Sequence, residues 1–61
     1  VPEEAVLWFN FACYSSLLGE VEDASQRLDE AVRLDKAFEA EAVDDADLDN
    51  LWQWIRGKEN A

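Results

Sequence analysis

The residues with the clearest chemical potential are carboxylates at alternate positions, Asp45, Asp47 and Asp49, followed by Asn50. This spacing is that of the first half of a calcium loop, in which oxygen ligands alternate, the sixth residue is glycine and the twelfth is a bidentate glutamate. Counted from Asp45, the sixth residue is Asn50 and the twelfth is the cation Arg56. We therefore predict no metal site here, and interpret the segment as a capped helix start with acidic side chains at the positive end of the helix dipole.

Cys13 is the only thiol of the chain, and it lies among apolar neighbours such as Phe9 and Leu17, with no basic residue nearby to stabilise a thiolate. The sequence contains no histidine, which excludes Cys/His zinc sites, serine-histidine and cysteine-histidine dyads and histidine acid-base catalysis. Acid pairs such as Glu3 and Glu4 show no placement across an apolar cleft, as carboxylate catalysis requires. We predict a buried packing cysteine, a protein that is not an enzyme, and no cofactor.

Length and charge limit the remaining possibilities. A chain of 61 residues forms one small domain of marginal stability. With 15 acidic and 5 basic residues its net charge is -10, which disfavours binding to nucleic acid or an anionic membrane and favours a basic or apolar partner. No apolar run is long enough to span a bilayer, no secretory signal pattern is present, and a lone thiol is compatible with the cytoplasm. Because the chain lacks methionine and begins at Val1, we expect a piece of a longer protein.

Two helices are predicted in the first half of the chain. The first begins near Pro2 and runs to Leu18, and since it is apolar or small on nearly every side it should be buried on nearly every side. Gly19 supplies the left-handed residue that ends it. The second helix runs from residue 20 or 21 to between residues 34 and 36. It is amphipathic, with one apolar stripe formed by Val21, Ala24, Leu28, Ala31 and Val32.

The second half is predicted to fold back onto these helices. Residues 35–43 permit a short helix after a break, with Phe38 packed on the core. Asp44 or Asp45 should cap a further helix, from about residue 46 to 55 or 56, that Gly57 ends, with residues 57–61 frayed. Its buried stripe consists of Leu48, Leu51, Trp52 and Ile55.

The pattern of large and small residues resembles one tetratricopeptide repeat of 34 residues, spanning about residues 5–38. The positions that carry the resemblance are Trp8, Phe11, Ala12, Gly19, Ala24, Leu28 and Ala31. Two positions depart from the family pattern: Ser15 replaces a large residue and Lys36 the closing proline. The chain is also similar to repeats that end tetratricopeptide arrays in bacterial proteins. The similarity lies in the runs Asn-Phe-Ala-Cys-Tyr, Leu-Leu-Gly and, at residues 45–48, Asp-Ala-Asp-Leu.

The resemblance implies an all-α fold: one module over residues 1–61, made of a helix-turn-helix hairpin and a short C-terminal capping helix at about residues 46–56. It also implies a non-enzymatic interaction or scaffold role, with first helices lining a groove for a partner protein or peptide. The candidate contact residues are Leu7, Phe9, Asn10, Cys13, Ser16 and Trp54. Asn10 matches an asparagine that contacts peptide backbones in the family, or it only hydrates the groove. Family members that bind the acidic C-terminal tails of chaperones have a lysine and an asparagine at the positions of Phe9 and Cys13. The resemblance therefore does not imply that ligand.

One repeat cannot cover both sides of its first helix, because repeats bury their apolar faces by stacking. We expect Trp8, Phe11 and Ala12 to pack in the hairpin, and the side with Leu7, Phe9 and Cys13 to meet a preceding repeat, a second copy of the chain or a ligand. Trp54 lies off the stripe of the last helix and is expected to be exposed for contact. The alternative function is a structural or dimerisation segment of a larger enzyme or sensor, without recognition of its own.

Overall fold

The computed structural model describes residues 3–60, which form four α-helices and a 3-10 turn and contain no strand. The helices are α1 (Glu3–Leu17), α2 (Val21–Leu34), α3 (Ala37–Asp44) and α4 (Asp49–Glu59), with the 3-10 turn Ala46–Leu48 before α4. The predicted all-α class and the bounds of the second helix are confirmed, and the first helix ends at Leu17, one residue before the predicted Leu18. Pro2, the expected first helical residue, and Ala61 lie outside the described residues.

The turn between α1 and α2 depends on one glycine. Gly19 has a φ of +82°, the left-handed conformation that side chains disfavour. Its N–H donates to the Ser16 carbonyl at 3.0 Å, and the Glu20 N–H donates to the Ser15 carbonyl at 2.8 Å. These two bonds form a Schellman motif, which pairs carbonyls that the helix end leaves free. The chain therefore reverses within a few residues, and α1 packs along α2 as a helical hairpin.

The C-terminal half packs on the hairpin from the side of Phe9. Phe38 of α3 stacks on Phe9 with ring centroids 4.8 Å apart, and both rings are buried. Leu48 and Leu51 are completely buried, and Trp52 and Ile55 pack partly buried beside them, so the predicted stripe of the last helix is confirmed.

Two predictions about the last helix are corrected. The segment that Asp45 caps begins as a 3-10 turn, with the Asp47 N–H donating to Asp45 Oδ1 at 2.9 Å, and regular α4 starts only at Asp49. Gly57 does not end α4, which continues to Glu59, because Gly57 has no positive φ that would break it. Arg56 and Lys58 in the last turn suit the negative end of the helix dipole and help to extend the helix.

Candidate functional site: the outer face of α1

The buried and exposed sides of α1 differ from those expected from the sequence. Phe9 and Cys13 are each 7% exposed and Ser16 is fully buried, whereas Phe11, expected in the hairpin, is 45% exposed. The expectation that Phe9 and Cys13 lie on an uncovered side is therefore wrong. The physical reason is that the C-terminal segment covers this side of α1, through the turn at residues 46–48 and the start of α4.

Ser16 is the point where α4 is attached to α1. The Leu51 N–H, in the first turn of α4, donates to Ser16 Oγ at 3.3 Å, and Asn50 Nδ2 donates to the Ser16 carbonyl at 2.9 Å. A first-turn N–H has no acceptor within its own helix, so the buried hydroxyl provides one that the helix lacks. Ser16 is therefore a packing residue, with its side chain enclosed by the chain itself.

Cys13 is also enclosed, and its surroundings keep it protonated. Burial, followed by the negative charge of Asp45 and a hydrogen bond to it, raises the pKa of the Cys13 thiol to about 12. The thiol donates to Asp45 Oδ2 across 3.7 Å. Because the thiolate is the nucleophile and the metal-binding form, this environment suppresses both kinds of chemistry.

Three possible ligand atoms nevertheless meet at this point. The Cys13 sulfur and carboxylate oxygens of Asp45 and Asp47 lie within 4.8 Å of one another. Both oxygens of Asp45 already accept hydrogen bonds, from Cys13 and from the Asp47 backbone, and Asp49 accepts one from Gln53 at 2.9 Å. The alternating carboxylates thus cap and flank a helix start, as interpreted from the sequence.

The remaining predicted contact residues lie at the surface or at its edge. Leu7 is 54% exposed and Asn10 is exposed, so both are accessible to a partner. Trp54, expected to be exposed, instead packs partly buried against the core, with the Lys58 ammonium 4.4 Å from its ring centroid. That cation lies over one face of the ring.

Four large side chains form a row along the uncovered side of α1. The members of this outer row are Leu7, Phe11, Tyr14 and Leu18, which are 54%, 45%, 63% and 73% exposed. At 3.6 residues per turn they lie within about 60° of arc and extend along about 16 Å of helix. Leu18 follows the last helical residue but keeps the pattern, since its N–H donates to the Tyr14 carbonyl at 3.0 Å. Only Leu7 of this row was among the predicted contact residues.

The outer row is bordered on one side by α2. Arg27 Nη1 donates to Ser15 Oγ at 2.8 Å, and its guanidinium lies 5.8 Å from the centroid of the Phe11 ring. Trp8 meets Phe11 edge to face, with ring centroids 6.1 Å apart. Phe11 is therefore held in place by two neighbours while its remaining surface faces outward.

A concave region lies between α2, α3 and α4. This groove has a volume of about 320 Å³, and Leu28, Val32, Trp52 and Ile55 supply most of its apolar wall. Its polar lining residues are Ser25, Asp29 and Glu39. The groove therefore provides apolar surface and negative charge.

Comparison with protein-family models, curated proteins and solved structures finds no match for this chain. The helices formed by residues 3–60 also include none with the length and hydrophobicity needed to cross a membrane.

Proposed function

We propose that this chain is a non-enzymatic protein-protein interaction module of the tetratricopeptide type, which ends a helical array and contacts its neighbour through the outer row of α1. The observation that carries the proposal is the exposure of four large apolar side chains in one row. Contiguous apolar surface of this kind is typical of interaction sites, whereas single exposed apolar residues are common everywhere.

The distribution of buried and exposed residues supports an end position. The side of α1 that carries Phe9 and Ser16 is closed by the chain's own C-terminal segment, which acts as a cap. The opposite side stays largely open, with Phe11 and Tyr14 45% and 63% exposed even though Trp8 and Arg27 contact one edge of the Phe11 ring. A module that is capped on one side and open on the other can extend an array in one direction only, as terminal repeats do.

The proposal is tested by joining the chain to the C-terminus of two consensus tetratricopeptide repeats and following urea unfolding. Because stacked repeats stabilise one another through their interface, we expect one cooperative transition for the fusion. Replacing Phe11 and Tyr14 by serine should separate this into two transitions. Val43→Ser is the matched control, since Val43 is 70% exposed on α3 and lies outside the row. Equal cooperativity in all three fusions would contradict the proposal.

A further inference from the structure

We infer that the occupant of the outer row is an α-helix of the neighbouring helical unit, carrying its own apolar seam and basic side chains at both ends of that seam. This inference rests on the proposed function, and it adds the chemistry of the partner. It follows from the spacing of the outer row, from the residues beside it and from the charges at its two ends.

The spacing of the outer row selects a helix over an extended peptide. Leu7, Phe11, Tyr14 and Leu18 follow one another at intervals of four, three and four residues. These alternating steps of three and four residues, with a mean of about 3.7, keep the row on one side of the helix and are the steps with which two α-helices pack side by side along a seam. An extended strand places side chains on one face at every second residue and would match these anchors poorly.

The residues beside the seam carry no charge of their own. Trp8 and Ser15 border it on the side of α2, and Asn10 and Leu17 border it on the other side. In pairs of α-helices, charged side chains at these flanking positions determine which partner binds. In this chain, partner selectivity therefore depends on the charges at the ends of the seam and on Arg27, which approaches Phe11 from α2.

Both ends of the seam are acidic. Glu3 and Glu4 are exposed in the first turn of α1, before Leu7, and Glu20 is exposed directly after the turn that follows Leu18. Arg27 lies beside Phe11, away from the ends of the seam, and Arg33, which interacts with Glu4, is already paired with Glu30. The whole chain adds a field from a net charge of -10. A partner with lysine or arginine at both ends of its seam meets opposite charges there, whereas a second copy of this chain would bring acidic ends against acidic ends.

The test uses the full chain and two synthetic helices of about 18 residues, long enough to cover the outer row. Both have leucine at the seam positions and alanine elsewhere, and one has two lysines at each end where the other has two glutamates. Binding is measured by isothermal titration calorimetry. We expect the lysine helix to bind about tenfold more tightly in low salt, and the difference to shrink in about 0.5 M NaCl as the charges are screened.

The controls separate this inference from the proposed function. In the triple variant Glu3→Gln, Glu4→Gln and Glu20→Gln the preference for lysine should largely disappear, and Phe11→Ser should weaken both peptides while Val43→Ser weakens neither. Equal binding of the two peptides to the native chain would overturn the inference and leave the outer row as a contact surface. Binding of neither peptide would contradict the proposed function as well. Self-association in sedimentation equilibrium that is tighter than binding of the lysine helix would overturn the inference in favour of a second copy.

Discussion

Phe9 and Phe11 are two residues apart on α1, and replacing each by alanine tests which side of the helix belongs to the core. Phe9 is 7% exposed and stacked on Phe38, so Phe9→Ala removes a buried ring and leaves a cavity, at a cost of about 3–5 kcal/mol. Phe11 is 45% exposed, and its truncation opens no enclosed cavity. Loss of its partial burial and of its contact with Arg27 should cost about 1 kcal/mol.

The assay is urea unfolding followed by far-ultraviolet circular dichroism. At about 0.05–0.15 kcal/mol per residue the whole chain is stabilised by about 3–9 kcal/mol, so Phe9→Ala removes a large fraction of this stability and unfolds the chain at the lower end of the range. Phe9→Leu provides a measurable variant: it loses the stacked ring pair and some packing, and should cost about 1–3 kcal/mol. A cost for Phe11→Ala equal to or greater than that for Phe9→Ala would refute the assignment of the two faces.

Three further predictions concern residues that the fold uses. Ser16→Ala leaves the Leu51 N–H buried without an acceptor and should lower the free energy of unfolding by about 1–3 kcal/mol, measured by urea unfolding, whereas Ser25→Ala on the open groove should change it by less than about 0.5 kcal/mol. Gly19→Ala forces a side chain into the left-handed region and should lower the free energy of unfolding by about 1–2 kcal/mol. Gly57 lies within α4 with open space at its Cβ position, so Gly57→Ala should raise that free energy by up to about 1 kcal/mol. Both changes are measured by thermal unfolding. Burial raises the pKa of the Cys13 thiol from its ordinary value of 9.0 to about 12, so the folded state holds this proton more tightly and its contribution to stability should be lost as the pH rises from 9.0 toward 12. Urea unfolding across that range should show a smaller decline for Cys13→Ala, and an equal decline would contradict the role of the thiol.

Local signals in the sequence were sufficient to predict where the hairpin turns. Gly19 is followed by a new amphipathic stripe, and glycine adopts the left-handed conformation that the structure contains without steric cost. The buried stripe of α4 was predictable for the same reason, because Leu48 and Leu51 stand at helical spacing among charged residues. Gly57 shows the limit of this signal: a glycine near a helix end can also remain helical when residues beyond it continue the backbone hydrogen bonds.

The faces of α1 could not be predicted from periodicity. Since nearly every residue of this helix is apolar or small, no stripe stands out, and the buried side is decided by contacts with distant residues. The stacking of Phe38 on Phe9 and the hydrogen bond from Leu51 to Ser16 join positions 29 and 35 residues apart. The candidate contact surface is therefore the outer row, which contains Leu7, and not the side of Phe9 and Cys13.

The most direct test of the central claim, that the outer row of α1 is the contact surface, is a map of amide chemical-shift changes in the fusion to two consensus repeats compared with the chain alone. The largest changes are expected at Leu7, Phe11, Tyr14 and Leu18, with little change at α3 and α4. Changes centred on the groove between α2, α3 and α4, or no changes in α1, would contradict it.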